Sequence, residues 1–289
     1  MGVSLGSATL VVMDISRVED LRTALKLAGI RPHKSLGQHF LVDRSSLETI
    51  MGAADLVPSD HVLEVGPGLG VMTHPLLERT AHVTAVETDA TLAELLRRDA
   101  PKNLTVVEED ILRFNLASLP TDYKVVANIP YYLTSKLIRL LLESSNPPLM
   151  QSLLIQKEVA ERIVAGPGKY SMLSLSVQFY AEVELVAIVE RHKFWPAPAV
   201  DSAVLKITRR PTPAFEAVPE KVFRLMKAGF GEKRKQLKNS LAGGLNLSQE
   251  LVERLLAEAM LAPTARAQEL SLDDWSRLYT LVDAAGALA

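Results

Sequence analysis

A chain of 289 residues with 48% hydrophobic side chains can bury more than one core, and its formal net charge of −2 supplies no overall positive field to draw it onto nucleic acid. It contains no cysteine, which excludes disulfides and thiolate metal sites and fits a reducing compartment. The opening residues have no basic n-region, and no stretch approaches the ~18 apolar residues of a membrane span, so neither secretion nor membrane insertion is expected.

Residues 1–33 carry no decisive pattern and are set apart as an N-terminal lead-in. Ser45 and Glu48 have capping-box spacing, which predicts a helix starting near Ser45. From about residue 60, short apolar runs alternate with helical periodicity. Strands are expected at HVLEV (61–65), HVTAVE (82–87), LTVVEE (104–109), YKVVAN (123–128) and QSLLIQ (151–156). Helices are expected at 71–79, 90–98, 135–143 and 157–164. This alternation implies parallel strands joined by crossover helices, an α/β doubly wound, Rossmann-like domain spanning 34–209. VELVAIVE (183–190) and SAVLKIT (202–208) read as two late strands at the sheet edge. Beyond the proline-rich RRPTPAF strand signals cease. Four helical segments, KRKQLKNSLA (233–242) among them, define a smaller C-terminal helical domain over 210–289.

The turn EVGPGLG follows the first strand. Gly66, Gly68 and Gly70 permit a tight bend and close approach of a ligand to backbone, although a plain βα turn has the same look. Glu87 ends the second strand, where doubly wound domains place an acid to accept from a ribose diol. Asp110 follows the third strand and can accept from the exocyclic amine of adenine, with Ile111 against the ring. Together these point to an adenosine-containing cofactor. The G-P-G-L-G spacing does not suit a dinucleotide pyrophosphate, and Glu64 favours a cationic ligand, so S-adenosylmethionine is the expected cofactor.

The fourth strand ends in NIPYYLTS. An amide (Asn128), a proline-fixed turn and Tyr131 suit a planar base bearing an exocyclic amine. Asn128 Oδ1 and the carbonyl of Ile129 or Pro130 can accept its N–H groups while Tyr131 stacks on the ring. Adenine N6 is a poor nucleophile because its lone pair is delocalised. Two acceptors favour a more tetrahedral nitrogen, and displacement at an activated methyl then needs positioning more than a strong base. Phe194 or Trp195 can close the other face of the base. A basic run, Lys233, Arg234, Lys235 and Lys238, offers a local nucleic-acid patch or simply a solvated helix face.

KSLGQHFLVD, EVGPGLG, VETD, EEDIL, NIPYYLTSKLI, FWPAPAVDSAV and GEKRKQLKNSL occur in this order, and with them the chain resembles the ribosomal RNA adenine N6-dimethyltransferases, specifically the KsgA-type small-subunit enzymes. The resemblance runs from about Lys34 to about Leu241. It implies S-adenosylmethionine bound by His39 and Leu41 at its methionine end and by Gly66, Glu87, Asp110 and Asn128, with Phe194 as the base-stacking phenylalanine. His39 stands where many members carry Asn, and Tyr132 where Asn is frequent. The implied reaction is dimethylation of two adjacent adenosines in the 3′-terminal hairpin loop of small-subunit rRNA, by a cytoplasmic monomer acting on a pre-30S particle. The basic run at 233–238 would contact that particle. The rivals are a large-subunit dimethyltransferase of the macrolide-resistance type and a non-catalytic RNA-binding assembly factor on the same scaffold.

Overall fold

The computed structural model describes residues 18–27, 29, 39–98, 100–232 and 235–288. The chain divides into two compact units, one of residues through Ala160 with Glu184–Arg209, the other of Glu161–Val183 with the residues from Arg210 onward.

The first unit is built on a seven-stranded sheet in the order β4-β3-β2-β5-β6-β9-β7. These strands are β2 (His61–Val65), β3 (His82–Glu87), β4 (Leu104–Glu108), β5 (Lys124–Asn128), β6 (Met150–Gln156), β7 (Ala181–Val189) and β9 (Ser202–Arg209). β2 pairs in parallel with both β3 and β5, and β3–β4 and β5–β6 are also parallel; β9 runs antiparallel to β6. Val62, Leu63, Val125, Val126 and Ala127 have no exposed surface, as strands covered on both faces require. The order reverses at β2, which leads to β3 on one side and has β5 on the other. That is the switch point where the carboxyl ends of parallel strands leave a crevice.

Helices α1 (Val18–Leu27), α2 (Arg44–Ala53), α3 (Thr73–Arg79), α4 (Ala90–Arg97), α5 (Thr134–Glu143) and α6 (Lys157–Ile163) complete the early part of the chain. The assignment of residues 1–33 to a lead-in needs correction for α1. Its Leu21, Ala24 and Leu25 fall at helical spacing on one face and pack with Phe40, Leu69, Leu92 and Leu95. Residues 1–17 lie outside the described residues. Helix α2 is capped by Asp43, not Ser45: the Asp43 carboxylate accepts from the Ser46 N–H at 2.9 Å, and Glu48 instead meets Arg79 at 3.0 Å. Two-residue strands β1 (Phe40–Leu41) and β8 (Phe194–Trp195) form a separate antiparallel ladder pairing Phe40 with Trp195 and Leu41 with Phe194.

The second unit is helical. It gathers α7 (Met172–Tyr180), α8 (Pro219–Phe230), α9 (Leu237–Leu245), α10 (Gln249–Glu258) and α11 (Leu272–Ala284). Helix α7 was not expected, and the stretch 161–183 belongs here, not with the α/β domain of 34–209. The reason is apolar: Leu175 and Phe179 are fully buried among these helices, with the Phe179 ring edge-on to Phe215 at 5.1 Å and to Phe223 at 5.6 Å. Trp275 is fully buried in the same cluster. Helices α8 and α9 approach closely because Gly244 lacks a side chain; a Cβ there would lie 2.7 Å from Ala228 Cβ and 2.9 Å from Ala228 Cα.

Gly244→Ala is therefore expected to destabilise the protein by about 1–3 kcal/mol. The neighbouring Gly243→Ala, with open space around its Cβ, is expected to stabilise it by roughly 0.5–1 kcal/mol. Urea unfolding of both variants measures the difference.

Candidate active site

At the carboxyl ends of β2, β3, β4 and β5 lies a cleft of about 550 Å³, within the range of small-molecule sites. Its lining includes His39, Leu41, Gly66, Glu87, Asp110, Asn128, Tyr131 and Phe194, so these eight residues expected to hold cofactor or base border one cavity.

The glycine turn is shaped by backbone conformation. Gly66 and Gly68 have φ of +68° and +60°, and a Cβ on Gly68 would press within 3.3 Å of the Phe40 ring. The bend aims the Gly68 N–H at Glu87 Oε2 (3.1 Å), and Asp89 N–H reaches Glu87 Oε1 (3.0 Å). Burial pushes the Glu87 carboxyl above its usual range, while these two N–H donors pull the other way. A carboxylate has acceptor sites to spare beyond two backbone donors, so Glu87 can still take hydroxyl groups from a bound sugar. Asp110 is exposed, and its Oδ1 accepts the Leu112 N–H at 3.0 Å; the adjoining Ile111 is buried and borders the cleft.

Asn128 donates from Nδ2 to the carbonyl of His39 at 2.9 Å, which leaves its Oδ1 with no donor among the described residues. Of the two backbone acceptors considered beside it, the Pro130 carbonyl already receives the Leu133 N–H at 2.9 Å. The Ile129 carbonyl is the one left for a ligand. His39 Nδ1 lies 2.7 Å from the Pro196 carbonyl and so carries its proton there. Its ring stacks on Tyr131 at 5.9 Å between centroids and 28° between planes, and the Tyr131 hydroxyl meets Ser202 Oγ at 3.1 Å. The two rings form one aromatic wall. Phe194 borders the cleft although only 4% of it is exposed, because β8 seats it in the apolar cluster around Leu41 and Val204. Trp195 does not border the cleft. It packs against the cluster of Leu21 and Phe40, with the Arg22 guanidinium 5.8 Å from its ring centroid.

Glu64 was expected to favour a cationic ligand, but it does not border the cleft. It is fully buried, accepts from Thr73 Oγ1 at 2.6 Å, and its Oε1 has no partner among the described residues. Burial pushes its carboxyl up to about 8, with the neighbouring Glu87 adding to the shift. The basic run also needs correction. Lys233 and Arg234 lie outside the described residues, and α9 begins only at Leu237, so Lys235 precedes the helix that was expected to carry it. Lys235 pairs with Glu232 at 3.4 Å and Lys238 with Glu253 at 2.7 Å.

Sequence reasoning missed the tie that brings the two ends of the site together. Asp43 accepts from Ser46 and Ser45 and pairs with Lys193 at 3.1 Å, while the Val42 N–H donates to the Lys193 carbonyl at 2.8 Å. Burial raises the Asp43 carboxyl, but these partners outweigh it and hold it well below the usual carboxylate range. Two-residue strands give no periodic signal, so only the capping aspartate was there to be read. Among the described residues, no group of three His, Asp or Glu side chains is placed to hold a metal.

The doubly wound sheet, the cradle at Gly66 and Gly68, and the acids at the ends of β3 and β4 define a class: this is an S-adenosylmethionine-dependent methyltransferase. The profile of the ribosomal RNA adenine dimethylase family matches residues 29–284. The chain is 42% identical over 255 residues to "Ribosomal RNA small subunit methyltransferase A" of Dehalococcoides mccartyi, covering 86% of this chain and 88% of that one. It is 36% identical over 280 residues to the protein of the same name from Bacillus cytotoxicus, covering 92% and 96%. Among solved structures it is similar to the 23S rRNA methyltransferase ErmE (30% identity, TM-score 0.70, 84% and 99% covered) and to a dimethyladenosine transferase from Plasmodium falciparum (27%, 0.72, 86% and 98%). The chain belongs to the ribosomal RNA adenine dimethylase family.

The folded chain retains the Glu64 proton up to about pH 8, whereas an unfolded glutamate releases it near 4.5. The stabilisation this gives is complete below 4.5 and is lost as pH rises to about 8. Urea unfolding across that window is expected to show falling stability for the wild type, and Glu64→Gln is expected to flatten the profile.

Proposed function

We propose that this enzyme dimethylates N6 of two adjacent adenosines in the 3′-terminal hairpin loop of small-subunit ribosomal RNA, acting in the cytoplasm as a monomer on a pre-30S particle. The observation that carries this reading is Asn128: its Nδ2 is committed to the His39 carbonyl, so its Oδ1 is kept as an acceptor at the strand end beside the cofactor cradle. The small-subunit assignment draws on relatives of that name at 36–42% identity, against 30% for the 23S enzyme.

The donor set of the cleft fits the cofactor. Gly66 and Gly68 leave room for close approach, Glu87 would take the ribose hydroxyls, Asp110 the adenine amine, and His39 and Leu41 would lie along the methionine end. When bound, the cofactor supplies a methyl group already activated on a sulfonium. The protein's own task is to present the target nitrogen. Asn128 Oδ1 and the Ile129 carbonyl accept its two N–H groups, which draws the lone pair out of conjugation. Tyr131 and Phe194 hold the base ring, and a base paired or stacked in RNA must be turned out to reach them. In the second round the amine keeps one N–H, and one acceptor contact gives way to the methyl already added. No residue need act as a strong base, because the amine becomes acidic as its new bond to carbon forms.

Asn128→Ala is expected to lose about 10²-fold in methyl transfer, the scale for a misplaced reacting group. Labelled methyl transfer to undermethylated 30S subunits, followed by primer extension, measures both rate and place. A stop at paired adenosines in small-subunit rRNA with wild type alone supports the reading. Equal modification by Asn128→Ala would overturn the mechanism, and modification of naked 23S rRNA instead would overturn the substrate.

A further inference from the structure

The helical unit contains a second cavity, of about 420 Å³, which no expectation from the sequence anticipated. Residues far apart in the chain meet there: Arg162, Tyr170 and the first turn of α7, then Phe230 and Lys235, then Arg266 and Gln268. The loop beneath is fixed by the Gly168 N–H donating to the Gln268 carbonyl at 2.8 Å. Arg162 and Arg266 are exposed, and neither guanidinium forms an ion pair among the described residues, although the Arg266 N–H donates to Glu269 Oε2 at 2.9 Å. Lys235 has only Glu232, in an exposed pair of little worth. Three cations thus line a single cavity with one acid, Glu232, while Glu269 is bonded to the Arg266 main chain, in a protein whose formal net charge is −2.

The lining is more than positive. The Phe230 ring stacks on the buried Trp275, with 6.1 Å between centroids and 21° between planes, so it is a rigid flat surface. Tyr170 is nearly buried, its hydroxyl held by Gln178 at 3.3 Å. The Gln268 side chain has no partner among the described residues and can both donate and accept. Guanidinium forks match phosphate oxygens, an aromatic platform matches a base, and an amide can read a base edge. An acidic peptide would satisfy the arginines and leave the flat surface unused.

From this combination we infer that the cavity binds one unstacked nucleotide of the RNA substrate, with its phosphate on Arg162 and Arg266 and its base on Phe230. The inference deepens the proposed function and rests on it for the source of the nucleotide. It also moves the RNA contact of this unit off the expected helix face at 233–238 and onto residues that sequence order scatters over more than a hundred positions.

The test uses the full-length protein and undermethylated 30S subunits in a salt series. Arg162→Gln/Arg266→Gln is expected to bind the particles about 10-fold more weakly near physiological salt, and the slope of log affinity against log salt should fall by about 0.7 to 0.9, as for the one phosphate the two side chains share. Phe230→Leu should weaken binding about 5-fold or more with its slope unchanged, since stacking carries no counterion release. Affinity for S-adenosylmethionine should stay at the wild-type value in all of them. Particle binding of the double arginine variant equal to wild type, or reduced no more than in a Lys26→Gln/Lys102→Gln control, overturns the inference. So does saturable binding of adenosine monophosphate that the arginine variant loses while its particle binding is intact, because the site would then serve free nucleotides. Failure of the wild type itself to bind or methylate the particles strikes the proposed substrate instead, so the two failures are distinguishable.

Discussion

One hydrogen bond decides what the cleft can do. An amide presents a donor and an acceptor of nearly equal size, and a target amine can be held only by the acceptor. By giving its Nδ2 to the His39 carbonyl, Asn128 settles which end faces a ligand. Such a bond contributes only about 1 kcal/mol net to stability. Its larger effect is on orientation, because the opposite rotamer would set N–H against N–H. The bond spans 89 positions, so the active conformation of one side chain is a property of the assembled fold. The parallel strands bring Asn128 to the edge of the sheet, and the β1–β8 ladder brings His39 to meet it.

The two buried glutamates show how one fold gives the same side chain different duties. Glu64 and Glu87 sit on adjacent strands, both removed from water. Glu87 is met by backbone N–H groups from the glycine turn and from Asp89. Glu64 has a single hydroxyl donor and one oxygen with no partner among the described residues. Two neighbouring anions in that environment repel each other, and the less solvated one keeps its proton. The negative charge is thereby concentrated on Glu87, where a ligand can use it.

Much of this was legible in the sequence for identifiable reasons. The central strands are continuous apolar runs bounded by glycine, proline or charge, and the groups that end them, Gly66, Glu87, Asp110 and Asn128, fall where chemistry is expected. The failures are equally physical. Helix α7 alternates apolar and polar residues from Leu173 through Ser174, Leu175, Ser176, Val177 and Gln178 to Phe179, the two-residue period of a strand, and its membership in the helical unit depends on Phe179 meeting rings from Phe215 and Phe223. Asp43 outcompeted Ser45 as a cap because it also gains Lys193, 150 positions away. Glu64 was misjudged because it is fully buried and its one hydrogen-bond donor among the described residues is the Thr73 hydroxyl, not a ligand. The cavity of Arg162, Phe230 and Arg266 left no local trace at all.

The short ladder between β1 and β8 has a further effect. Leu41, proposed to lie along the methionine end of the cofactor, is paired residue for residue with Phe194, which flanks the place proposed for the target ring. The two walls are rungs of one backbone pairing. Whatever free energy one occupant spends in adjusting its wall is returned to, or withheld from, the second. Thermodynamic reciprocity makes that factor identical in both directions. A methyl donor lying against Leu41 and a base lying against Phe194 would thus press on the same four-residue ladder.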